Sequence, residues 1–135
     1  MSLSIPANAI LIILGFLPSV IWLLIFLAKD PRPEPKYLIL KVFLFGIIIA
    51  PAVVMIEAII SGITRNGFVS NTPLFFTLAA FVEEYMKYRV VKGAVLLKPD
   101  FDEPHDAIIY MITAALGFAA MENILIAFKI FPEGF

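Results

Sequence analysis

The 135-residue chain has no cysteine, a single histidine and few charged side chains. The absence of cysteine excludes a disulfide framework and any thiolate metal site. With one histidine there can be no HExxH zinc helix. No serine, histidine and aspartate fall where helices could assemble them into a nucleophilic triad, and no glycine-rich phosphate loop is present. Charged residues make up 16% of the chain, against about a quarter in a typical soluble domain. The formal net charge is -1, and no basic patch carries interleaved aromatics, so nucleic acid is excluded as a partner.

What the chain has instead is apolar mass. Hydrophobic residues are 61% of it and its mean hydropathy is +0.99. A small water-soluble core cannot absorb that surface, so the solvent is expected to be the lipid bilayer. Four segments are long enough to cross a hydrocarbon layer of about 30 Å, which takes about 20 helical residues. They cover residues 5–28, 37–63, 72–97 and 106–131. Strands are excluded because an open sheet edge would leave backbone groups unpaired in lipid. The expectation is an all-α integral membrane bundle of about four transmembrane helices, forming one polytopic domain over 1–135. The first segment reads as a retained helix and not a signal peptide: it is long, lacks a positive leader and ends in Lys29-Asp30.

The connectors are punctuated by turn residues. Asp30-Pro31-Arg32-Pro33-Glu34-Pro35-Lys36 is charged and proline-rich, Thr64-Arg65-Asn66-Gly67 is a turn signal, and Lys98-Pro99-Asp100-Phe101-Asp102-Glu103-Pro104 forms the third link. Pro18 and Pro51 fall inside spans and predict kinks. Lys29, Arg32, Lys36 and Lys41 surround the first connector, and Lys87, Arg89, Lys92 and Lys98 precede the third; the second holds Arg65 alone. By the positive-inside rule, connectors one and three lie in the cytoplasm and both termini are extracytoplasmic, in a cell (cytoplasmic) membrane.

The informative residues are the charges inside spans. Glu83, Glu84 and Lys87 lie in the third segment, and Glu122 with Asn123 in the fourth. Ionised groups at that depth face a bundle interior or a wet cavity. Lys87 is four residues from Glu83 and three from Glu84, so it can reach either. Two readings stand side by side: an internal ion pair, or a glutamate acting as general base. Ala115, Ala119 and Glu122 share a stripe, with Ala114 and Gly117 nearby, and small residues let membrane helices approach closely. That stripe is either a packing seam alone or a carboxylate pressed against a neighbouring helix. Glu57 reads as structural, snorkelling or meeting Arg65. His105 reads as a solvated loop residue, Asp106 as a helix cap, and Trp22 as packing.

Three segments then match a known pattern. Phe81-Val82-Glu83-Glu84-Tyr85-Met86-Lys87 resembles the EExxK motif of the PrsW family of intramembrane proteases. Phe101-Asp102-Glu103-Pro104-His105-Asp106-Ala107-Ile108-Ile109-Tyr110 resembles its FDEPxDGIVY segment, and Leu116-Gly117-Phe118-Ala119-Ala120-Met121-Glu122-Asn123-Ile124-Leu125 resembles its LGFAxxENIL segment. The likeness covers roughly residues 78–126 and extends in logic to the CAAX-prenyl-protease-like membrane enzymes. It implies an endopeptidase that cleaves membrane-anchored regulatory proteins with a single span, such as an anti-sigma factor. In that reading Glu83 and Glu84 are the essential pair, one activating water, Glu122 is a catalytic residue of the second motif, and Lys87, Asn123, Asp102, Glu103 and Asp106 support them. No cofactor is evident from the chain; the resemblance leaves a divalent metal such as zinc open, as it does self-association into a homo-oligomer. Family members continue into further helices, one with a histidine in a motif like HAxxxxxxGY, which His105 does not replace. The expectation is therefore of a truncated chain, a fragment or a naturally short relative, without hydrolytic activity by itself. The competing classes are a non-catalytic module that binds a partner helix through the Ala115/Ala119 seam and, ranked last, a proton or ion pathway.

Overall fold

In the computed structural model, which describes residues 6–63 and 72–131, the chain folds as four helices: α1 (Ala7–Leu27), α2 (Lys36–Ile63), α3 (Pro73–Ala94) and α4 (Pro104–Ile130). No strand occurs among the described residues. Helices α1, α2 and α4 are each long and apolar enough to cross a membrane. The charge-interrupted α3 is not among them by composition, although its 22 residues extend about 33 Å at 1.5 Å per residue. The chain is an all-α, multi-pass membrane protein.

Local chemistry sets the helix ends. Thr72 caps α3 by accepting a hydrogen bond from the Phe75 amide at 3.3 Å, and Pro73 occupies the first helical position, where its missing N–H costs nothing. α3 stops at Ala94, three residues before the end expected from hydropathy, and the chain turns over Leu96 and Leu97 before Pro99. α4 begins at Pro104, two residues before the expected start. Asp106 is thus inside the first turn, where its Oδ2 accepts from the Asp102 and Glu103 amides at 3.0 and 2.8 Å. It holds the incoming chain onto the helix from within. Pro18 and Pro51 sit inside α1 and α2. The turn expected over residues 64–67 lies outside the described residues.

α4 is the central element: it packs on α1, α2 and α3, whereas the α1 backbone does not come close to that of α2 or α3. Connectors one and three lie at one end of the bundle, tied by the Arg32–Glu103 ion pair and by hydrogen bonds from Tyr37 to Asp100 and from Tyr110 to Glu34. α2 and α4 therefore run parallel, with α1 and α3 opposed to them.

The closest helix approach depends on glycines. A Cβ on Gly117 would fall onto the Phe43 carbonyl of α2, and a Cβ on Gly46 onto the Ala114 carbonyl of α4. The seam expected at Ala115 and Ala119 thus runs one residue aside, through Ala114 and Gly117, because that edge of the small-residue stripe faces the α2 glycine. Ala115 and Ala119 are only partly buried. On another face of α4, Ile124 fills the space beside Gly15 of α1. Buried Leu38, Val42, Val91, Ile109, Tyr110 and Ala114 form a core near the connector end, and Ala50, Val53 and Phe118 form a second one further along.

Candidate active site

The second core carries the polar cluster. Val82 and Met86 of α3 and Met121 of α4 pack around Phe118, Ala50 and Val53, which fixes the rotation of α3 against the α2–α4 pair. Lys87 follows from that rotation. Its Nζ lies 2.8 Å from Glu84 Oε1 and 3.3 Å from Glu83 Oε2. Its other side faces the Phe118 ring, with 4.6 Å from Nζ to the centroid, a cation–π arrangement. The ammonium is buried and satisfies both sequence neighbours at once, so the lysine does not have to choose between them.

Consecutive residues on a helix differ by about 100° in direction, and the two glutamates separate accordingly. The Glu83 side chain is 28% exposed and the Glu84 side chain 66%. Glu84 opens onto a groove of about 490 Å³ with Phe76, Thr77, Ala80 and Phe81 on the outer face of α3. Glu83 turns toward the bundle. Glu122 lies one turn beyond Phe118 on α4, within electrostatic reach of Glu83, Lys87 and Glu57. It also borders a pocket of about 200 Å³ lined by Val54, Leu125, Ile126 and Lys129. The Lys87–Phe118 contact sets the two helices level, so Glu83 and Glu122 share a depth despite their different distances from the helix starts.

Glu57 is the residue that sequence reasoning undervalued. Its expected partner Arg65 lies outside the described residues. Its Oε1 is buried without a hydrogen-bond partner among the described residues, and its carboxylate feels Glu83. The signal was available: an ionisable side chain within a span is a site candidate by default.

The remaining expected residues sit elsewhere. The Asn123 Nδ2 donates to the Gly15 carbonyl of α1 at 3.4 Å, which fastens α1 to α4. Asp102, Glu103 and Asp106 lie at the connector end, Asp106 being 16 residues from Glu122, about 24 Å along the helix. There they form a lock. Asp106 holds the connector amides, Glu103 pairs with Arg32, and buried Tyr110 donates to Glu34 Oε2 at 2.6 Å while Phe101 stacks on its ring. Burial pushes the Glu34 carboxyl above the usual range; the Tyr110 hydrogen bond opposes this, and nearby Asp106 and Asp30 reinforce it. His105 is exposed at the start of α4 and Trp22 is exposed on α1, its ring against Phe26.

The carboxylates offer oxygen ligands, yet among the described residues no three His, Cys, Asp or Glu side chains gather closely enough to hold a metal ion. What the arrangement provides is a pair of acids from different helices, Glu83 and Glu122, flanked by a buried cation and a third acid. Such a set can accept a proton from water and return it to a departing group.

Comparison with known proteins agrees with the helix motifs. Residues 34–134 match the model of the family described as PrsW family intramembrane metalloprotease. The chain is similar to the protein named Protease PrsW in Geobacillus kaustophilus, at 37% identity over 85% of this chain and 51% of the relative. It is similar to those of the same name in Bacillus subtilis, at 31% over 82% and 50%, and in Clostridioides difficile, at 29% over 88% and 51%. The chain thus spans about half the length of these relatives. No solved structure matches it. Three motifs in order on α3 and α4, and a family match over most of the chain, place it: the chain belongs to the PrsW family of intramembrane metalloproteases.

Proposed function

We propose that the chain supplies the glutamate half of an intramembrane endopeptidase that cleaves membrane-anchored regulatory proteins with a single span, an anti-sigma factor being the type of substrate. What supports this reading is Glu83 of α3 paired with buried Lys87, whose ammonium faces the Phe118 ring of α4, with Glu122 one helical turn beyond that ring. A structural ion pair needs one acid for one lysine. Here two acids, Glu83 and Glu84, pair with it, and one carboxyl oxygen of Glu57 is unpartnered among the described residues, a cost in apolar surroundings that function explains better than stability.

In this reading Glu83 takes a proton from a water molecule as that water attacks the scissile carbonyl. The C–N bond then breaks as the departing amine receives the proton. Lys87 holds Glu83 in place through its 3.3 Å contact. Glu122 bounds the water's position from α4, and Glu84 anchors the other side of the ammonium. Asp102, Glu103 and Asp106 act at a distance by fixing where α4 starts. The family description names a metal. The described residues contribute carboxylates to such a site but not the three protein ligands that a catalytic zinc ion takes, so the steps above run through the chain's own groups. The lysine and arginine bias supports a cell (cytoplasmic) membrane with the connector end on its cytoplasmic side and both termini outside.

Because the chain spans about half of its relatives, the test joins residues 1–131 to the matching remainder of the Geobacillus protein. The fusion is placed in liposomes with a single-span peptide. Cleavage is expected, with loss of at least a hundredfold in kcat on Glu83→Gln, in line with about 10²–10⁴ for a general base. Full activity in the Glu83→Gln fusion would overturn the assignment.

A further inference from the structure

Helices α1 and α2 both pack on α4, but their backbones do not approach each other closely. Between them lies a cavity of about 670 Å³, walled by Val20, Leu24, Leu27, Leu40 and Phe43, with Lys36 and Glu34 at its polar end. This volume falls in the range of about 300–1,000 Å³ typical of small-molecule sites. Lys36 to Phe43 is seven residues, about 10 Å, so the cavity runs from the interface into the apolar layer. Its polar end lies on the connector that carries Lys29, Arg32 and Lys36. Two of the acids there are engaged, Glu34 accepting from Tyr110 and Glu103 pairing with Arg32, while Asp30 accepts from the Arg32 amide through Oδ1 and keeps Oδ2 buried without a partner among the described residues. Lys36 enters none of the ion pairs found among the described residues.

We propose that this crevice is a binding site for an anionic phospholipid, with an acyl chain between α1 and α2 and the phosphate at Lys36. The charge pattern selects this occupant. An apolar helix from another protein would fill the greasy wall but leave the lysine beside hydrocarbon, whereas a phospholipid satisfies both ends. Basic pockets between membrane helices on the cytoplasmic side hold anionic headgroups by this logic. The lipid fills the gap between the α1 and α2 backbones, so α1 is held by α4 on one flank and by lipid on the other.

The test is native mass spectrometry of the whole chain, released from nanodiscs of equal phosphatidylglycerol and phosphatidylcholine with matched acyl chains. The chain should retain one lipid, with about a fivefold preference for phosphatidylglycerol, the equivalent of about 1 kcal/mol for one basic group. Lys36→Gln should bring the two lipids to parity while a lipid is still retained. Leu40→Trp, at an exposed position on the cavity wall, should lose retention of both with unchanged helical content by circular dichroism. Three results would overturn the proposal: no retained lipid, equal retention of both lipids by the unaltered chain, or a dimer that excludes lipid. Retention unchanged in both variants would do so as well, since the lipid would then sit elsewhere.

Discussion

Replacing Gly117 with alanine adds one methyl group at the tightest point of the bundle. That carbon would meet the Phe43 carbonyl of α2, 3.0 Å from its carbon and 3.2 Å from Phe43 Cα. Real Cβ contacts with backbone are longer, and backbone cannot rotate aside as a side chain can. The helices must separate, and the reciprocal contact at Gly46, whose Cβ position is 3.1 Å from the Phe118 amide nitrogen, loosens with them. Overpacking of this kind costs about 1–3 kcal/mol. Gly46→Ala should cost a similar amount. The double variant should cost less than the sum, because one separation relieves both clashes. Gly93→Ala is the control: nothing lies within 4 Å of its Cβ position, so stability should stay within about 0.5 kcal/mol. Unfolding by sodium dodecyl sulfate in mixed micelles, followed by Trp22 fluorescence, reads all four. If Gly117→Ala matches Gly93→Ala, the α2–α4 seam is not where we place it.

Other consequences follow from the polar groups. Tyr110→Phe removes the donor to Glu34 from a buried position and should cost about 1.5–3 kcal/mol, measured in the same micelles. Glu34 has a raised carboxyl pKa in the fold, so the folded state binds its proton more tightly than the unfolded chain. Its contribution to stability is full below the unfolded pKa, about 4.3, and is lost as pH rises through the folded value. A pH series should show that decline in the parent and a flatter curve in Glu34→Gln. Glu57→Gln replaces a carboxyl group, one oxygen of which has no hydrogen-bond partner among the described residues, with a neutral amide and should raise stability by about 1 kcal/mol; a loss of that size would mean that the carboxylate is satisfied.

The architecture was legible because lipid imposes one rule, that apolar runs of about twenty residues become helices, and the prolines and charges between them marked the connectors. The ends of α3 and α4 shifted because Ala94 and Pro104 answer to local turn chemistry, the Asp106 bonds to the connector amides among it, which hydropathy averages away. The EExxK spacing announced that Lys87 can reach either glutamate, and the structure has it meeting both. The spacing could not reveal that Glu84 turns outward, since that depends on how Val82 and Met86 seat against Phe118. The surroundings of Glu57 were hidden for the same reason: Glu83 comes from another helix, and only packing brings its charge near. The motif Asp102-Glu103-Pro104-His105-Asp106 looked like part of one site with Glu122, but helix rise alone keeps the two about 24 Å apart.

Because the chain has no cysteine, thiol pairs can be placed in it without background. In membranes, Glu83→Cys combined with Glu122→Cys should be joined by a short bifunctional thiol reagent and should react with a polar, charged one, as a wet pocket shared by two helices requires. Glu84→Cys combined with Glu122→Cys should join far less. Equal joining of both pairs, or none with the first, would contradict a common pocket for Glu83 and Glu122.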